Sequence, residues 1–325
     1  MVRALQRAWP DTAITWVIGQ KEAPLVRHMH NIRFIVFDKA HSLSGFMKIK
    51  RELAGEQFDA LVLAQTSLRA NLLSLAIRAK RRVGFGPAQA KEGHRLFINE
   101  AIDVPQRCHQ AEAIFAFAPS LLDDPQLGLA DTDRALPLTP EAKQFAVEHQ
   151  PQADEAVLIS PCSSHKQRNW SAEHYAKVAD WVIAHTHRPV MLIGGPSEIE
   201  HAMGQAIEAA CQHPLTNLIG QDTLDQALAM MARAACLITP DSGPAHMADG
   251  LGTPVVGVYA ATRVARSGPW ASQAWCVDGF AKAAQRFRGA SADELPWACR
   301  LQQAGVMAVV TPDEVIESLI RLWGL

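Results

Sequence analysis

The stretch ITPDSGPAHMADGLGTPVVGVYA, Ile238–Ala260, decides the fold. An apolar run at 235–239 leads into a cluster of polar and turn-forming residues, a helix is predicted from about 245 to 251, and a second apolar run follows at 254–260. Both runs are apolar on successive residues, which is typical of parallel strands that helices cover on both faces. The stretch therefore predicts a strand, a helix and a second strand of an α/β domain.

The junction between the first of these strands and its helix has the composition of an anion site. Free backbone N–H groups at a helix start, with the positive end of the helix dipole, favour a phosphate. Gly243 lets an anion approach the backbone, and Pro244 lacks an N–H that the first turn would leave unpaired anyway. His246 can donate to a phosphate oxygen, and Asp241 either accepts from a sugar hydroxyl or caps the helix. With the hydroxyl of Ser242, this combination favours an anion site over a plain connection.

Strand-like runs alternate with helical stretches along the 325 residues, a length that suits two domains. The segment 122–155 has no comparable strand and is rich in Pro and Asp, so we place the connection between the domains near 136–153. We predict two doubly wound, Rossmann-like α/β domains, residues 1–145 and 146–325, with a ligand in the cleft where the carboxyl ends of their strands face each other. The predicted strands are 12–19, 32–37, 58–64, 156–160, 189–195, 235–239 and 254–260.

Composition narrows the class of protein. Lys and Arg number 31 and Asp and Glu 33, a net charge of −2, which argues against a protein that coats nucleic acid. The six cysteines form no CxxC pair and no zinc spacing, which favours a reduced, cytoplasmic protein. No apolar run approaches the length of a membrane span, and the first residues lack the apolar core of a signal peptide. We therefore expect a soluble protein with at most peripheral membrane contact.

A second loop follows strand 156–160 with the same chemical character. The sequence PCSSHKQRNW supplies the hydroxyls of Ser163 and Ser164 and the guanidinium of Arg168, whose fork of donors suits a phosphate. Ser171 is predicted to cap the helix that follows. The loop is therefore a second candidate for anion binding.

Two acidic motifs in the sequence receive different interpretations. Glu198, in GGPSE after strand 189–195, is placed to accept from the hydroxyls of a ribose or a sugar. The alternative interpretation of Glu198 is a first-turn acid that the helix dipole favours. The DxD match Asp131-Thr132-Asp133 lies in the polar segment with no strand before it, so it is interpreted as a solvated loop and no metal site is expected.

Three of these segments resemble the heptosyltransferase family, glycosyltransferase family 9, which builds the inner core of lipopolysaccharide. DSGPAH matches that family's Asp-(Ser/Thr)-Gly-x-x-His element, SSHKQRNW matches its hydroxyl-rich loop ending in Lys-x-Trp, and GGPSE matches its next strand end. The resemblance covers nearly the whole chain and is most specific at 235–260. It implies a GT-B fold whose C-terminal half holds ADP-heptose and whose N-terminal half holds a lipid A–Kdo type acceptor at the cytoplasmic face of the inner membrane.

The resemblance also implies residue roles and a mechanism. An acceptor hydroxyl gives its proton to a base and attacks the anomeric carbon, and ADP leaves from the opposite face, with inversion and without metal or cofactor. Arg168 stands where many members carry Lys, so a point contact becomes a bidentate one. The helix start, Arg168 and His246 are the implied stabilisers of the charge that grows on the diphosphate. The implied donor-binding residues are Ser163, Ser164, Arg168, Glu198, Asp241, Ser242, Gly243 and His246.

A basic cluster in the N-terminal half has two interpretations. Between Arg69 and Arg95 there are seven basic residues and one acid, Glu92. The cluster is either a solvated face or a site for an anionic partner. By the resemblance, the inner-core acceptor carries phosphates and carboxylates, and Arg69 and Lys91 are the residues whose surroundings are most similar to the family's acceptor loops.

The first residues depart from the family pattern. Family members begin with a strand and a Gly-Asp loop before a helix, and the Asp of that loop is the expected general base. Here Met1 falls inside the predicted helix, so the N-terminal domain is expected to lack its first strand and no catalytic base is assigned. Either the chain begins at an internal methionine of a longer protein, or it binds a nucleotide sugar without efficient chemistry.

Two alternatives to heptosyl transfer stay open. One is a non-catalytic nucleotide-sugar-binding paralogue of the same family. The other is a nicotinamide-dependent oxidoreductase, for which the pattern GFG at 84–86 is the sole sequence signal and is too short to identify a dinucleotide fold.

Overall fold

A computed structural model describes residues 1–38 and 42–325, without the side chains of residues 42 and 43. It divides the chain into two compact units, Met1–Arg134 and Ala135–Leu325. Both units are α/β with parallel strands, which confirms the predicted class of secondary structure. No described helix is long and apolar enough to cross a membrane.

The N-terminal unit holds its parallel strands in two separate sheets. Strand β1 (Ile14–Gly19) pairs with β2 (Ile32–Phe37), and the second sheet has the order β3 (Phe58–Leu63), β4 (Ala79–Phe85), β5 (Glu100–Ile102). Within the described ranges, β1 pairs on one edge only, and so does β3. The helices are α1 (Val2–Ala8), α2 (Ala23–Val26), α3 (Ser42–Glu52), α4 (Leu68–Ser74), α5 (Gln110–Phe115) and α6 (Phe117–Leu122), with a 3₁₀ helix at His94–Phe97.

One apolar cluster lies against both of these sheets. Ile35 of β2 belongs to it together with Ile49 of α3 and Leu73 of α4, all buried. Val17 of β1 and Leu61 of β3 pack against the same cluster. The two sheets therefore lie side by side under a shared layer of helices.

The C-terminal unit contains one sheet of six parallel strands. Its order is β11-β10-β9-β6-β7-β8, which, counted from β6, is the 3-2-1-4-5-6 order of a Rossmann sheet. The point where the order reverses lies between β6 and β9, whose residues are all buried. The strands are β6 (Val157–Ile159), β7 (Val190–Leu192), β8 (Thr216–Asn217), β9 (Cys236–Pro240), β10 (Val255–Tyr259) and β11 (Val277–Asp278).

Helices cover both faces of that sheet. The last helix was predicted from the Thr-Pro-Asp-Glu start, and the structure confirms it with a capping box between Thr311 and Glu314. The helices are α7 (Pro140–His149), α8 (Ala172–Thr186), α9 (Glu198–Ala210), α10 (Leu224–Arg233), α11 (Gly243–Gly250), α12 (Val264–Ser267), α13 (Phe280–Arg288) and α14 (Pro312–Trp323), with 3₁₀ helices at Lys166–Arg168, Gln273–Trp275, Ala292–Glu294 and Val306–Val309.

The division between the units lies at 134/135, before the expected boundary at 145/146. The expected connection, 136–153, contains helix α7. Ala142 and Ala146 of this helix are buried against Met230 and Met231 of α10. Because this apolar face packs on the C-terminal unit, the segment belongs to that unit rather than to a linker.

The basic cluster is partly structural. Strand β4 was not predicted because its first residues are charged, yet Lys80 pairs with Asp59 at 3.0 Å and Arg81 with Glu100 at 2.6 Å on neighbouring strands. Arg82 points inward and donates to the backbone oxygens of Ser74, Ile77 and Phe97 at 2.8–3.2 Å. These three cations therefore stabilise the fold itself. The other basic residues of the cluster, Arg69, Arg78, Lys91 and Arg95, are the candidates for contact with a partner.

Candidate functional site

Two of the predicted loops meet at the point where the strand order of the C-terminal sheet reverses. Ser163, after β6, donates its Oγ proton to the backbone oxygen of Asp241, after β9, at 2.8 Å. Arg168 of the first loop forms an ion pair with Asp241, with 3.0 Å between Nη1 and Oδ2. In open α/β sheets the carboxyl ends of the strands at this point form the usual ligand site. The fold thus brings together residues that are separated by 78 positions.

The Asp241 carboxylate is satisfied by two side chains. Besides Arg168, the hydroxyl of Thr262 donates to its Oδ2 at 2.7 Å. The Arg168 and Asp241 side chains are 14% and 11% exposed, so each charge depends on the other for compensation. Asp241 therefore does not act as a helix cap, which was one of its two interpretations.

Helix α11 begins without a side-chain cap. Its N-cap residue, Ser242, has its Oγ 2.9 Å from the hydroxyl of Thr239 instead. Gly243, the first helical residue, is exposed, and a Cβ added to it would make only an ordinary van der Waals contact. The first turn thus keeps orphan backbone N–H groups beside a helix dipole, which is the arrangement that binds a phosphate.

His246 lies in the first turn of this helix and its side chain is exposed. Partial desolvation of the ring lowers the pKa of the His246 imidazole, while the negative charges of Asp241 and Asp249 raise it and so oppose that shift. The imidazole is therefore mainly neutral at neutral pH and has one ring N–H to donate.

Additional cations face the same loop. Burial lowers the pKa of the Arg266 guanidinium, and the positive charges of Arg300 and Arg168 lower it further. The negative charge of Asp241 acts in the opposite direction and raises it. Both Arg266 and Thr262 follow β10 at the same edge of the sheet. Sequence reasoning missed them, although they come directly after the predicted strand 254–260, as the recognised polar loops do after their own strands.

The loop after β6 is anchored to the rest of the unit. The Asn169 side chain accepts from the backbone N–H of Ser163 at 2.8 Å. Trp170, 1% exposed, donates its indole N–H to the backbone oxygen of Val310 at 3.0 Å. Ser171 caps α8 by accepting from His174, as predicted. Ser164 is exposed on the anchored loop.

Two acids in the first turn of α9, after β7, differ in their contacts. Glu198 is the first residue of α9 and is exposed, whereas Glu200 accepts from the backbone N–H of Gly195 at 2.8 Å and from the hydroxyl of Ser197 at 2.6 Å. Asp222, after β8, was not recognised from the sequence. Burial raises the pKa of its carboxyl to about 6, with Glu200 adding to the effect, and its Oδ2 is buried without a hydrogen-bond partner among the described residues.

The two predicted acceptor residues lie on neighbouring loops of the N-terminal unit. Arg69 is near the start of α4, after β3, and Lys91 is in the loop after β4; both are exposed. The carboxylate of Glu92 accepts from the backbone N–H of Leu68, so the residues adjacent to Arg69 and Lys91 are in direct contact. The fold therefore brings these two cations to one region of the unit.

A buried histidine fixes that region. His94, 1% exposed, accepts at Nε2 from the backbone N–H of Phe85 at 3.1 Å and lies 2.8 Å from the Asn71 side-chain oxygen at Nδ1. Gly84 allows this packing, because a Cβ added there would lie 2.5 Å from His94 Nε2. The GFG pattern thus serves the packing of β4 and gives no support to a nicotinamide site.

The doubly wound sheet with polar loops at its reversal point has the architecture of a nucleotide-binding α/β protein. The family model of glycosyltransferase family 9 (heptosyltransferase) matches residues 46–295, and the chain belongs to this family. It is therefore a glycosyltransferase.

A curated relative supports the family assignment, and two solved structures share the fold. The lipopolysaccharide core heptosyltransferase OpsX of Haemophilus influenzae is 34% identical over 99% of this chain and 91% of its own length. A family 9 glycosyltransferase from Veillonella parvula has a similar fold, with a TM-score of 0.76, 21% identity and coverage of 98% of this chain and 90% of that one. The Escherichia coli ADP-heptose lipopolysaccharide heptosyltransferase II gives a TM-score of 0.69 at 19% identity, covering 98% and 92%.

The state of His246 predicts a pH dependence of anion binding. Because its pKa is lowered, the imidazole gains its charge only as the pH falls through that lowered value, and the charged form binds a diphosphate more strongly. In His246→Gln the side chain donates one hydrogen bond but cannot be protonated. We expect the difference in ADP affinity between the two proteins to widen by about 1 kcal/mol as the pH falls from about 8 to about 5, measured by calorimetry. Parallel pH profiles for the two proteins would show that His246 does not face the anion.

Proposed function

We propose that the chain transfers a heptose from ADP-heptose to the inner core of lipopolysaccharide. The observation that carries the proposal is the uncapped start of α11 beside the Arg168–Asp241 pair, at the reversal point of the C-terminal sheet. The names of the relatives, a lipopolysaccharide core heptosyltransferase and an ADP-heptose lipopolysaccharide heptosyltransferase, support the donor and the acceptor class.

In this proposal the two units divide the substrates between them. The C-terminal unit holds the nucleotide sugar, and the N-terminal unit holds an acceptor of the lipid A–Kdo type, in a GT-B arrangement with the ligands in the cleft between the units. Arg69 and Lys91 are exposed and form no salt bridge among the residues that the structure describes, which suits an acceptor that carries phosphates and carboxylates. The reaction takes place in the cytoplasm, at the face of the inner membrane.

The proposed chemistry is a single displacement with inversion. An acceptor hydroxyl, deprotonated by a base, attacks the anomeric carbon, and the bond to the ADP oxygen breaks on the opposite face. Negative charge grows on the diphosphate, where the α11 backbone N–H groups, His246 and the remaining donors of Arg168 are placed to stabilise it. Because fixed cations and a helix start serve this role, the proposed transfer does not use a divalent metal.

Donor binding is tested by removing the two side chains that face the diphosphate in the proposal. We expect His246→Ala and Arg168→Ala each to weaken ADP binding by about 1–3 kcal/mol, measured by calorimetry. The Arg168 variant also leaves the Asp241 carboxylate uncompensated near the anion, so its loss should be the larger. His185→Ala and Arg321→Ala, which remove exposed side chains from other helices of the same unit, are the matched controls. Unchanged ADP affinity in both site variants would refute the donor assignment.

Acceptor binding is tested in the other unit. Arg69→Glu combined with Lys91→Glu should lower the apparent affinity for the lipid acceptor at least about tenfold, because two attractive charges become repulsive, and should leave ADP affinity intact. The control replaces Lys80 and Arg81 of the same basic cluster by Gln, since those residues are already paired within the sheet. Equal losses for acceptor and ADP would indicate misfolding, and no loss for the acceptor would contradict the assignment.

We further propose that an additional parallel strand completes the N-terminal sheet between β1 and β3. The C-terminal sheet has the order 3-2-1-4-5-6, and the N-terminal strands occupy the equivalents of 3-2 and 4-5-6, with the two open edges where the central strand would pair. The side chains of β1 and β3 are mostly half-buried, whereas those of β9 and β10 are all buried. An unpaired central position leaves backbone groups unsatisfied and apolar surface uncovered. We place the acidic base in the loop that follows this strand.

A longer form tests this proposal. Supplying a strand and a loop of about twenty residues as an N-terminal extension should raise the unfolding temperature and should give heptose transfer in the presence of EDTA, with inverted anomeric configuration. The 325-residue chain should bind ADP with similar affinity yet turn over poorly. Full activity of the shorter chain would show that the base lies elsewhere. An extended protein that binds ADP without transfer would instead identify a non-catalytic paralogue.

A further inference from the structure

Exposed leucines form a stripe on helix α4 of the N-terminal unit. Leu68, Leu72 and Leu75 recur at helical spacing and are 50%, 48% and 59% exposed, while the opposite side of the helix, with Asn71 and Leu73, is buried. A soluble surface normally carries such side chains singly, and a contiguous exposed apolar patch marks an interaction site.

A fourth leucine extends the stripe beyond the helix. Leu96 is 86% exposed and belongs to the 3₁₀ helix His94–Phe97. That helix is fixed against α4, because His94 is bonded to Asn71 and because Arg82 donates both to Phe97 and to Ser74 of α4. We call Leu68, Leu72, Leu75 and Leu96 the leucine patch.

Exposed cations lie in the same segments of the chain as the leucine patch. Arg69, Arg78, Lys91 and Arg95 are all exposed, and none forms a salt bridge within the part of the chain that the structure describes. The single acid of the segment, Glu92, is occupied by the Leu68 backbone N–H. Exposed leucines and exposed cations therefore occur together within residues 68–96.

We propose that the leucine patch, together with the exposed cations of the same segments, docks on the surface of an anionic phospholipid bilayer. Leucines that insert at the headgroup boundary and cations that contact lipid phosphates are the two elements of interfacial binding. A second copy of the chain fits less well, because a two-fold contact through this face would place arginines against arginines. The inference concerns binding by the N-terminal unit and does not depend on the proposed transfer reaction.

Vesicle co-sedimentation tests the docking surface. The protein should bind vesicles of phosphatidylcholine mixed with phosphatidylglycerol, bind phosphatidylcholine alone weakly, and lose binding as salt is raised. The triple variant Leu72→Gln, Leu75→Gln, Leu96→Gln should bind the anionic vesicles at least about tenfold more weakly, because three side chains no longer insert. Leu68 is left intact because its backbone contacts the loop of Lys91.

Two controls make the result specific. Ile114→Gln with Val147→Gln removes apolar side chains that are 45% and 43% exposed outside the patch, and should bind vesicles as the unaltered protein does. Arg78→Gln with Arg95→Gln should weaken binding to anionic vesicles and reduce its dependence on salt. Thermal unfolding midpoints of all variants should stay close together, because the substituted side chains are exposed.

Three results would overturn the proposal. The first is no binding of the unaltered protein to anionic vesicles, and the second is equal binding by the triple leucine variant. The third is a dimer in light scattering that the leucine variant abolishes while vesicle binding is absent, which would assign the patch to a second copy of the chain.

Discussion

The ion pair between Arg168 and Asp241 is the interaction on which the rest of the site depends. Both side chains are nearly buried, and a buried charge without its partner costs several kcal/mol. The pair links the loop after β6 to the loop after β9, and the Thr262 hydroxyl links the loop after β10 to both. Since Asp241 is held by these partners and Ser242 is turned toward Thr239, neither side chain caps α11. The same contacts that stabilise the loops therefore leave the helix start open.

The parts of the fold that could be predicted are those in which local sequence decides. The buried strands around residues 157, 190, 236 and 255 are short apolar runs. Helix α14 begins with four residues, Thr311 to Glu314, that form its N-cap and first turn. Strand β4 was missed because Lys80 and Arg81 are stabilised by acids on neighbouring strands, a long-range effect that no local pattern contains. Helix α7 was placed in a linker for the same reason, since the helix is stabilised by packing on α10, which is distant in the sequence.

The candidate site could likewise be predicted only where local sequence decides. The residue types of the loops at 163–168 and 241–246 indicated anion chemistry, and the fold brings these loops together. The pairing within the site could not be predicted, because Arg168, Asp241 and Thr262 meet only when three strands are in register. The structural role of Glu200 could not be predicted either: it lies two positions after Glu198, and its bonds to the Gly195 backbone N–H and the Ser197 hydroxyl are visible only in the fold.

The most direct test of the account is a crystal structure of the protein with ADP. We predict that the diphosphate lies at the start of α11, with phosphate oxygens at about 3 Å from the backbone N–H groups of Gly243, Ala245 and His246 and in reach of the Arg168 and His246 side chains. Ordered ADP whose diphosphate lies away from this helix start, with the first turn of α11 facing only water, would contradict the account at its centre.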